Sequence, residues 1–123
     1  PANLPEPEPE KRYCGEDDHL WNAYHEAITQ AWSEGCPGEE VARRAAKAAK
    51  KAGARGDQFA CISFHVGVSS GLQTCDAIDK AVEWTCWTGV TPGQAQKLVD
   101  DNVHKYYDWF TSYEDDCGPR PSH

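Results

Sequence analysis

The sequence predicts an all-α fold, a small disulfide-stapled helical bundle of four to five helices. Four stretches of the 123-residue chain space their apolar residues as helices do and carry helix start and stop signals. The six cysteines are even in number and form no Cys-x-x-Cys pair, which favours disulfides over a zinc site. One segment alone alternates as a strand does, and a lone strand leaves its backbone hydrogen-bonding groups unpaired.

A single domain is expected between two tails. Residues 1–13 begin "PANLPEPEPEKR", and alternating Pro and Glu predict an extended tail. Residues 118–123, "GPRPSH", predict a loose C-terminal tail. Residues 14–117 then form a disulfide-linked helical domain, whose core is small enough for covalent cross-links to matter.

The first helix is predicted from about residue 18 to 34 and the second from about 37 to 53. In the first, one face carries Leu20, Tyr24, Ala27, Ile28 and Ala31. The second contains "ARRAAKAAKKAGARG", which holds half of the 12 Lys and Arg residues. At about 100° per residue, its alanines fall on one side. The opposite side carries Arg43, Arg44, Lys47, Lys50 and Lys51.

The C-terminal half predicts two further helices and one ambiguous segment. A helix from about 75 to 87 is followed by one from about 92 to 113, whose "TPGQ" start supplies a capping box. The apolar stripe of that last helix runs to Tyr113 and includes Trp109. Residues 57–70 alternate like a strand, but without a second strand we expect a short buried helix; strand pairing in a homodimer is the alternative.

All six cysteines are expected to form disulfides, at Cys14, Cys36, Cys61, Cys75, Cys86 and Cys117. Helix lengths exclude Cys75–Cys86 and disfavour Cys14–Cys36 and Cys86–Cys117, because each pair brackets one helix. Several pairings remain, and each joins different elements. The chain begins with Pro1 and contains no Met, so we expect a secreted protein whose signal peptide has been removed.

The net charge of −8 disfavours nucleic-acid binding, and no apolar run is long enough for a membrane span. The basic face of the second helix has two interpretations. It is an anion site for heparin-like chains, lipid headgroups or an acidic protein, or it is the solvated face of a helix that packs by its alanines. Loss of heparin binding on reversing the charge of Lys47, Lys50 and Lys51 would support the first interpretation.

Candidate catalytic residues are few. His65 lies in the most apolar segment, without a carboxylate nearby in sequence, and Asp100 and His104 share a face of the last helix. No nucleophile elbow, His-Glu-x-x-His motif or phosphate-binding glycine loop occurs. The architecture is similar to that of small secreted phospholipases, but their His-Asp-x-x-Tyr motif is missing. A small secreted hydrolase using His65 or the Asp100–His104 pair is therefore the alternative.

The sequence favours a secreted, non-catalytic binding protein without a cofactor or metal. Its ligand is either a small apolar molecule or a protein, held by an aromatic-rich helical core, and a homodimer is possible. The candidate contact residues are His65, Trp84, Trp87, Tyr107 and Trp109. A secreted toxin or effector is a further alternative.

Overall fold

The computed structural model describes residues 13–121, and that part of the chain contains helices and turns but no strand. The six α-helices are α1 Asp18–Ser33, α2 Gly38–Lys51, α3 Gly56–Ser69, α4 Thr74–Thr85, α5 Pro92–Tyr106 and α6 Tyr113–Cys117, and a 3-10 turn, Cys86–Thr88, follows α4. The prediction of a small all-α bundle with disulfides is confirmed. The predicted N-terminal tail, apart from Tyr13, lies outside the described residues, as do residues 122 and 123.

Helix α3 is the centre of the bundle and packs against α2, α4 and α5. One side of it, with Phe59, Ile62 and Val66, joins a core cluster with α1 and α2. Another side, with Ala60 and Phe64, joins a second cluster with α4 and α5. Because α3 is apolar on several sides, its sequence lacks a clear helical period. The expectation of a helix over residues 57–70 is confirmed.

Helix α2 packs by its small residues. The buried side carries Val41, Ala42, Ala45, Ala46 and Ala49, all fully inaccessible to solvent. Alanine side chains let neighbouring helices approach closely, and α2 packs against both α1 and α3. The predicted separation of alanines from basic residues is confirmed, so the charged side of α2 is left facing outward.

Helix α5 is shorter than predicted. It begins with the predicted capping box of Thr91 and Gln94, but it ends at Tyr106, where Tyr107 adopts an extended backbone. The prediction of a helix to Tyr113 is therefore wrong beyond residue 106. The segment turns back, and Phe110 and Tyr113 are buried in the second cluster while Trp109 is 56% exposed. The predicted inward position of Trp109 is wrong for the same reason.

Two disulfides cross-link the described chain, Cys14–Cys61 and Cys75–Cys117. Both join different elements, as expected. The prediction of a third disulfide is wrong, because Cys36 and Cys86 carry free thiols. Cys36 precedes α2, whereas Cys86 lies beside Trp87, which contacts Lys47 in the last turns of α2. The two free thiols therefore lie near different parts of α2 and are not bonded to each other.

Candidate anion-binding groove

The basic side of α2 consists of two sets of residues with different partners. Arg43 donates from Nε and Nη2 to the two carboxylate oxygens of Glu40, at 2.8 and 2.7 Å. Arg44 donates to Glu40 at 2.9 Å and to Glu34 at 3.0 Å. These hydrogen bonds lower the pKa of Glu40 to about 2. Both arginines are therefore neutralised by their neighbours, and the anion-site prediction is weakened for them.

The second set is the three lysines nearer the C-terminal end of α2. Lys47, Lys50 and Lys51 are exposed, and within residues 13–121 none of them forms an ion pair. Arg55, the N-cap residue of α3, also lacks an acidic partner there. Helix α2 ends at Lys51 and α3 begins at Gly56, so the short connection brings Arg55 next to the lysines. Four positive charges thus have no neutralising carboxylate among residues 13–121.

Trp87 lies beside these charges because of the way α4 ends. The 3-10 turn Cys86–Thr88 stops at Gly89, whose φ of +94° is a left-handed conformation that favours glycine. The turn directs the half-buried Trp87 ring onto the first core cluster, 6.1 Å from the buried Trp84 ring. The Lys47 ammonium lies 5.6 Å from the Trp87 ring centroid, within the range of a cation–π interaction.

Two adjoining depressions share Trp87 and Lys50. The larger, of about 550 Å³, is lined by Lys47, Lys50, Lys51 and Trp87. The smaller, of about 140 Å³, adds Arg55 and Thr88. We call the two together the Trp87 groove. An indole face can stack on a flat ring, and four cations can neutralise an anion attached to that ring.

The other residues predicted to contact a ligand do not meet at this groove. Trp84 is 1% exposed and belongs to the core. Tyr107 and Trp109 stack on each other at 5.0 Å in the loop between α5 and α6. His65 lies beside the paired rings of Tyr13 and Tyr106, at 5.9 and 6.1 Å. The five aromatic and histidine residues are thus divided among four places, and Trp87 combines access with a neighbouring cation.

The Asp100–His104 pair of the hydrolase alternative is not formed. Asp100 forms an ion pair with Arg120, which also contacts Glu114 at 3.3 Å and lies 4.3 Å from the Tyr113 ring centroid. His104 instead packs its ring edge-on against Phe110 at 5.0 Å. Arg120, in the predicted C-terminal tail, thereby occupies the carboxylate that a catalytic His104 would need.

The sequence interpretation missed two residues of the Trp87 groove. Arg55 belongs to the basic stretch of residues 42–56, but it follows the predicted end of the second helix. Helical spacing therefore could not assign it to the basic face. Thr88 gave no signal, because its position depends on the turn after α4. Its hydroxyl donates to the Thr85 carbonyl at 2.8 Å, which leaves the oxygen able to accept a further hydrogen bond.

Membrane-spanning helices and metal-binding clusters are both absent from residues 13–121. No helix between residues 13 and 121 has the length and apolarity needed to cross a bilayer. In the same range, no group of three or more His, Cys, Asp or Glu side chains is arranged to hold a metal ion.

Comparisons with known proteins give no functional information. Searches against protein-family models, curated proteins and solved structures found no match to this chain.

Proposed function

We propose that the chain is a secreted, non-catalytic binding protein for an organic anion that carries a flat apolar ring. The observation that supports this proposal is the Trp87 groove, where an accessible indole adjoins four cations that have no acidic partner in the described part of the chain. Secretion accords with the two disulfides. An anion fits this surface better than the small apolar molecule that the sequence predicted, because a neutral molecule would form no ion pair with the lysines.

The test compares two probes with the same naphthalene ring, the anion naphthalene-2-sulfonate and the uncharged 2-naphthol. Calorimetric titration of the full chain should give tighter binding of the sulfonate, and added salt should weaken it because exposed charges are screened. Replacing Trp87 with Leu should weaken sulfonate binding at least tenfold, about 1.4 kcal/mol. Trp32→Leu, at a 51%-exposed tryptophan on α1, is the matched control and should leave binding unchanged.

Charge reversal tests the cations separately. Lys47→Glu, Lys50→Glu and Lys51→Glu combined should abolish sulfonate binding, whereas Lys97→Glu, at a lysine paired with Asp101, should not affect it. Equal affinity for the sulfonate and 2-naphthol would contradict the proposal. Heparin binding that depends on the three lysines but not on Trp87 would also contradict it and would identify a surface for long polyanions.

A further inference from the structure

A segment before α1 covers the third side of α3. Residues 13–17, here called the N-terminal strap, cross α3 at Cys61 and His65, which are four residues apart and so share a helical face. The Cys14–Cys61 disulfide fixes the strap at one point. Gln58, one turn earlier, donates its side-chain amide to the carbonyls of Cys14 and Gly15, at 3.5 and 3.4 Å.

Tyr13 holds the first end of the strap. Its ring stacks on His65 at 5.9 Å and packs edge-on against Tyr106 at 4.4 Å. Its hydroxyl donates to the backbone carbonyl of Asn102 in α5. The strap therefore spans α3 and reaches α5, and the His65 ring is partly covered by the pair of tyrosine rings.

Glu16 holds the other end and is an unusual anchor. The residue is 3% exposed, and its Oε1 accepts a hydrogen bond from the Tyr24 hydroxyl of α1. Within the described chain, Oε2 has no hydrogen-bond partner, and neither has the buried Nδ1 of His65. Buried polar atoms without partners cost free energy. The strap therefore meets α3 with two buried polar atoms that form no hydrogen bond.

The groups that face His65 decide what protonation does. Burial lowers the pKa of His65, and the negative charge of Glu16 opposes this more weakly. The strap contributes Tyr13 and Glu16, α5 contributes Tyr106, and α1 contributes Tyr24 through Glu16. The phenol rings of Tyr13 and Tyr106 are neutral, so they offset only part of the hydration that an imidazolium loses on burial. The cost of burying the charged ring therefore exceeds the attraction to Glu16.

We propose that proton uptake by His65 in mild acid releases the N-terminal strap from α3, while the Cys14–Cys61 bond keeps it tethered. Tyr13 and Glu16 leave α3, water reaches the imidazolium, and the bundle itself stays folded. On return to neutral pH the strap closes again, because its covalent anchor holds it beside its site. This device is separate from the Trp87 groove and does not depend on what that groove binds.

Hydrogen exchange of the full oxidised chain tests the proposal. After correction for intrinsic rates, amides of the strap should exchange at least tenfold faster at about pH 5 than at about pH 7.5, while those of α2 should not change. His65→Leu should remove this difference. His104→Leu, at an exposed histidine on α5, should keep it. A strap that exchanges equally at both pH values, or more slowly in acid because His65 pairs with Glu16, would overturn the proposal.

A second measurement uses the unmodified protein, so that a folding defect of the His65 variant cannot obscure the answer. The imidazole proton signal of His65, followed by NMR, should titrate below about pH 6.5. The ring signals of Tyr13 and Tyr106 should shift with the same midpoint. Tyrosine signals that stay constant through the His65 titration would overturn the proposal.

Discussion

Asn102 connects three parts of the molecule through one buried residue. Its side-chain amide donates to the Asp57 carboxylate at 2.9 Å and to the Leu98 carbonyl at 2.8 Å. Its backbone carbonyl accepts a hydrogen bond from the Tyr13 hydroxyl. With 1% exposure, it has no water to replace a lost partner. It thus ties α5 to the start of α3 and to the N-terminal strap.

Replacing Asn102 with Ala should lower the free energy of unfolding by about 1–3 kcal/mol, because the buried hydrogen bonds are lost and a small cavity forms. Urea denaturation followed by circular dichroism measures this change. Asn22→Ala, at an exposed position of α1, is the matched control and should stay within about 0.5 kcal/mol of the parent. Equal effects of the two substitutions would contradict the role given to Asn102.

Gly38 shows how a close approach can require glycine without any unusual backbone angle. A Cβ atom at this position would overlap the carbonyl oxygen of Ser70 and lie 3.4 Å from its carbonyl carbon. Gly38→Ala should therefore destabilise the fold by about 1–3 kcal/mol. Gly93→Ala, where an added Cβ would meet nothing within 4 Å, should be neutral or stabilising in the same thermal melt. A neutral Gly38→Ala variant would show that α2 can shift away from Ser70.

The lowered pKa of His65 predicts how the free energy of unfolding depends on pH. Its pKa is lowered in the folded chain, so the unfolded chain takes up a proton at higher pH than the folded one does. The free energy of unfolding should therefore be highest above about pH 6.5 and fall as the pH drops below that value. His65→Leu should flatten this part of the curve in denaturation series measured across pH. A curve that is unchanged by the substitution would exclude His65 as the cause.

At the scale of elements, the start of α5 was predictable and its end was not. Thr91 and Gln94 form the capping box that the sequence indicated: Gln94 donates its backbone N–H to the Thr91 hydroxyl at 3.1 Å, and Thr91 donates its own to the Gln94 side chain at 2.9 Å. The end at Tyr106 has no Gly or Pro to mark it. The apolar spacing continues to Tyr113 because Phe110, in the loop after α5, and Tyr113, at the start of α6, are also buried. Periodicity alone cannot distinguish them from residues of one longer helix.

Thr91→Ala should cost about 1 kcal/mol, because the backbone N–H of Gln94 loses the Thr91 hydroxyl as its acceptor. The comparison is Gln96→Ala, in the next turn of α5 and without a capping role, for which a change below about 0.5 kcal/mol is expected. Both are measured by guanidinium denaturation. If Thr91→Ala is neutral, the start of α5 is held by packing alone.

The ambiguity over α3 has a different physical origin. A helix that is covered on one side shows its period in the sequence, but α3 is covered by two core clusters and by the N-terminal strap. Its apolar residues therefore occupy too many sides to show a stripe. Only the lack of a partner strand elsewhere in the sequence favoured a helix there. The local sequence of residues 57–70 does not distinguish a helix from a strand.

At the scale of the whole molecule, the candidate site combines residues from three elements. Lys47, Lys50 and Lys51 come from α2, Arg55 from the start of α3, and Trp87 from the turn after α4. The sequence revealed the lysines, since their spacing is local. It could not indicate that Trp87 would join them, or that Glu34 at the end of α1 would pair with Arg44, because both facts depend on how helices meet. The pairs of Glu40 with Arg43 and Arg44 lie within α2 and have local spacing.

The disulfides should contribute strongly to stability. Their closed loops have sequence separations of 47 and 42 residues, and loops of that length are worth about 4 kcal/mol each in the chain-entropy description. Replacing both Cys75 and Cys117 with Ser should lower the free energy of unfolding by about 2–5 kcal/mol. Replacing both Cys36 and Cys86 with Ser should change it by less than about 1 kcal/mol, since neither thiol is bonded. Large effects of the second pair would contradict the observed connectivity.

The two disulfide loops follow one another along the chain without overlapping, and residues 62–74 belong to neither. A protease that cuts the turn between α3 and α4, around Gly71, would therefore leave two pieces with no covalent link between them. A cut between α1 and α2, or between α4 and α5, would leave one covalently intact molecule until a reductant is added. The number of bands on a non-reducing gel after limited digestion thus reports which connection the protease reached.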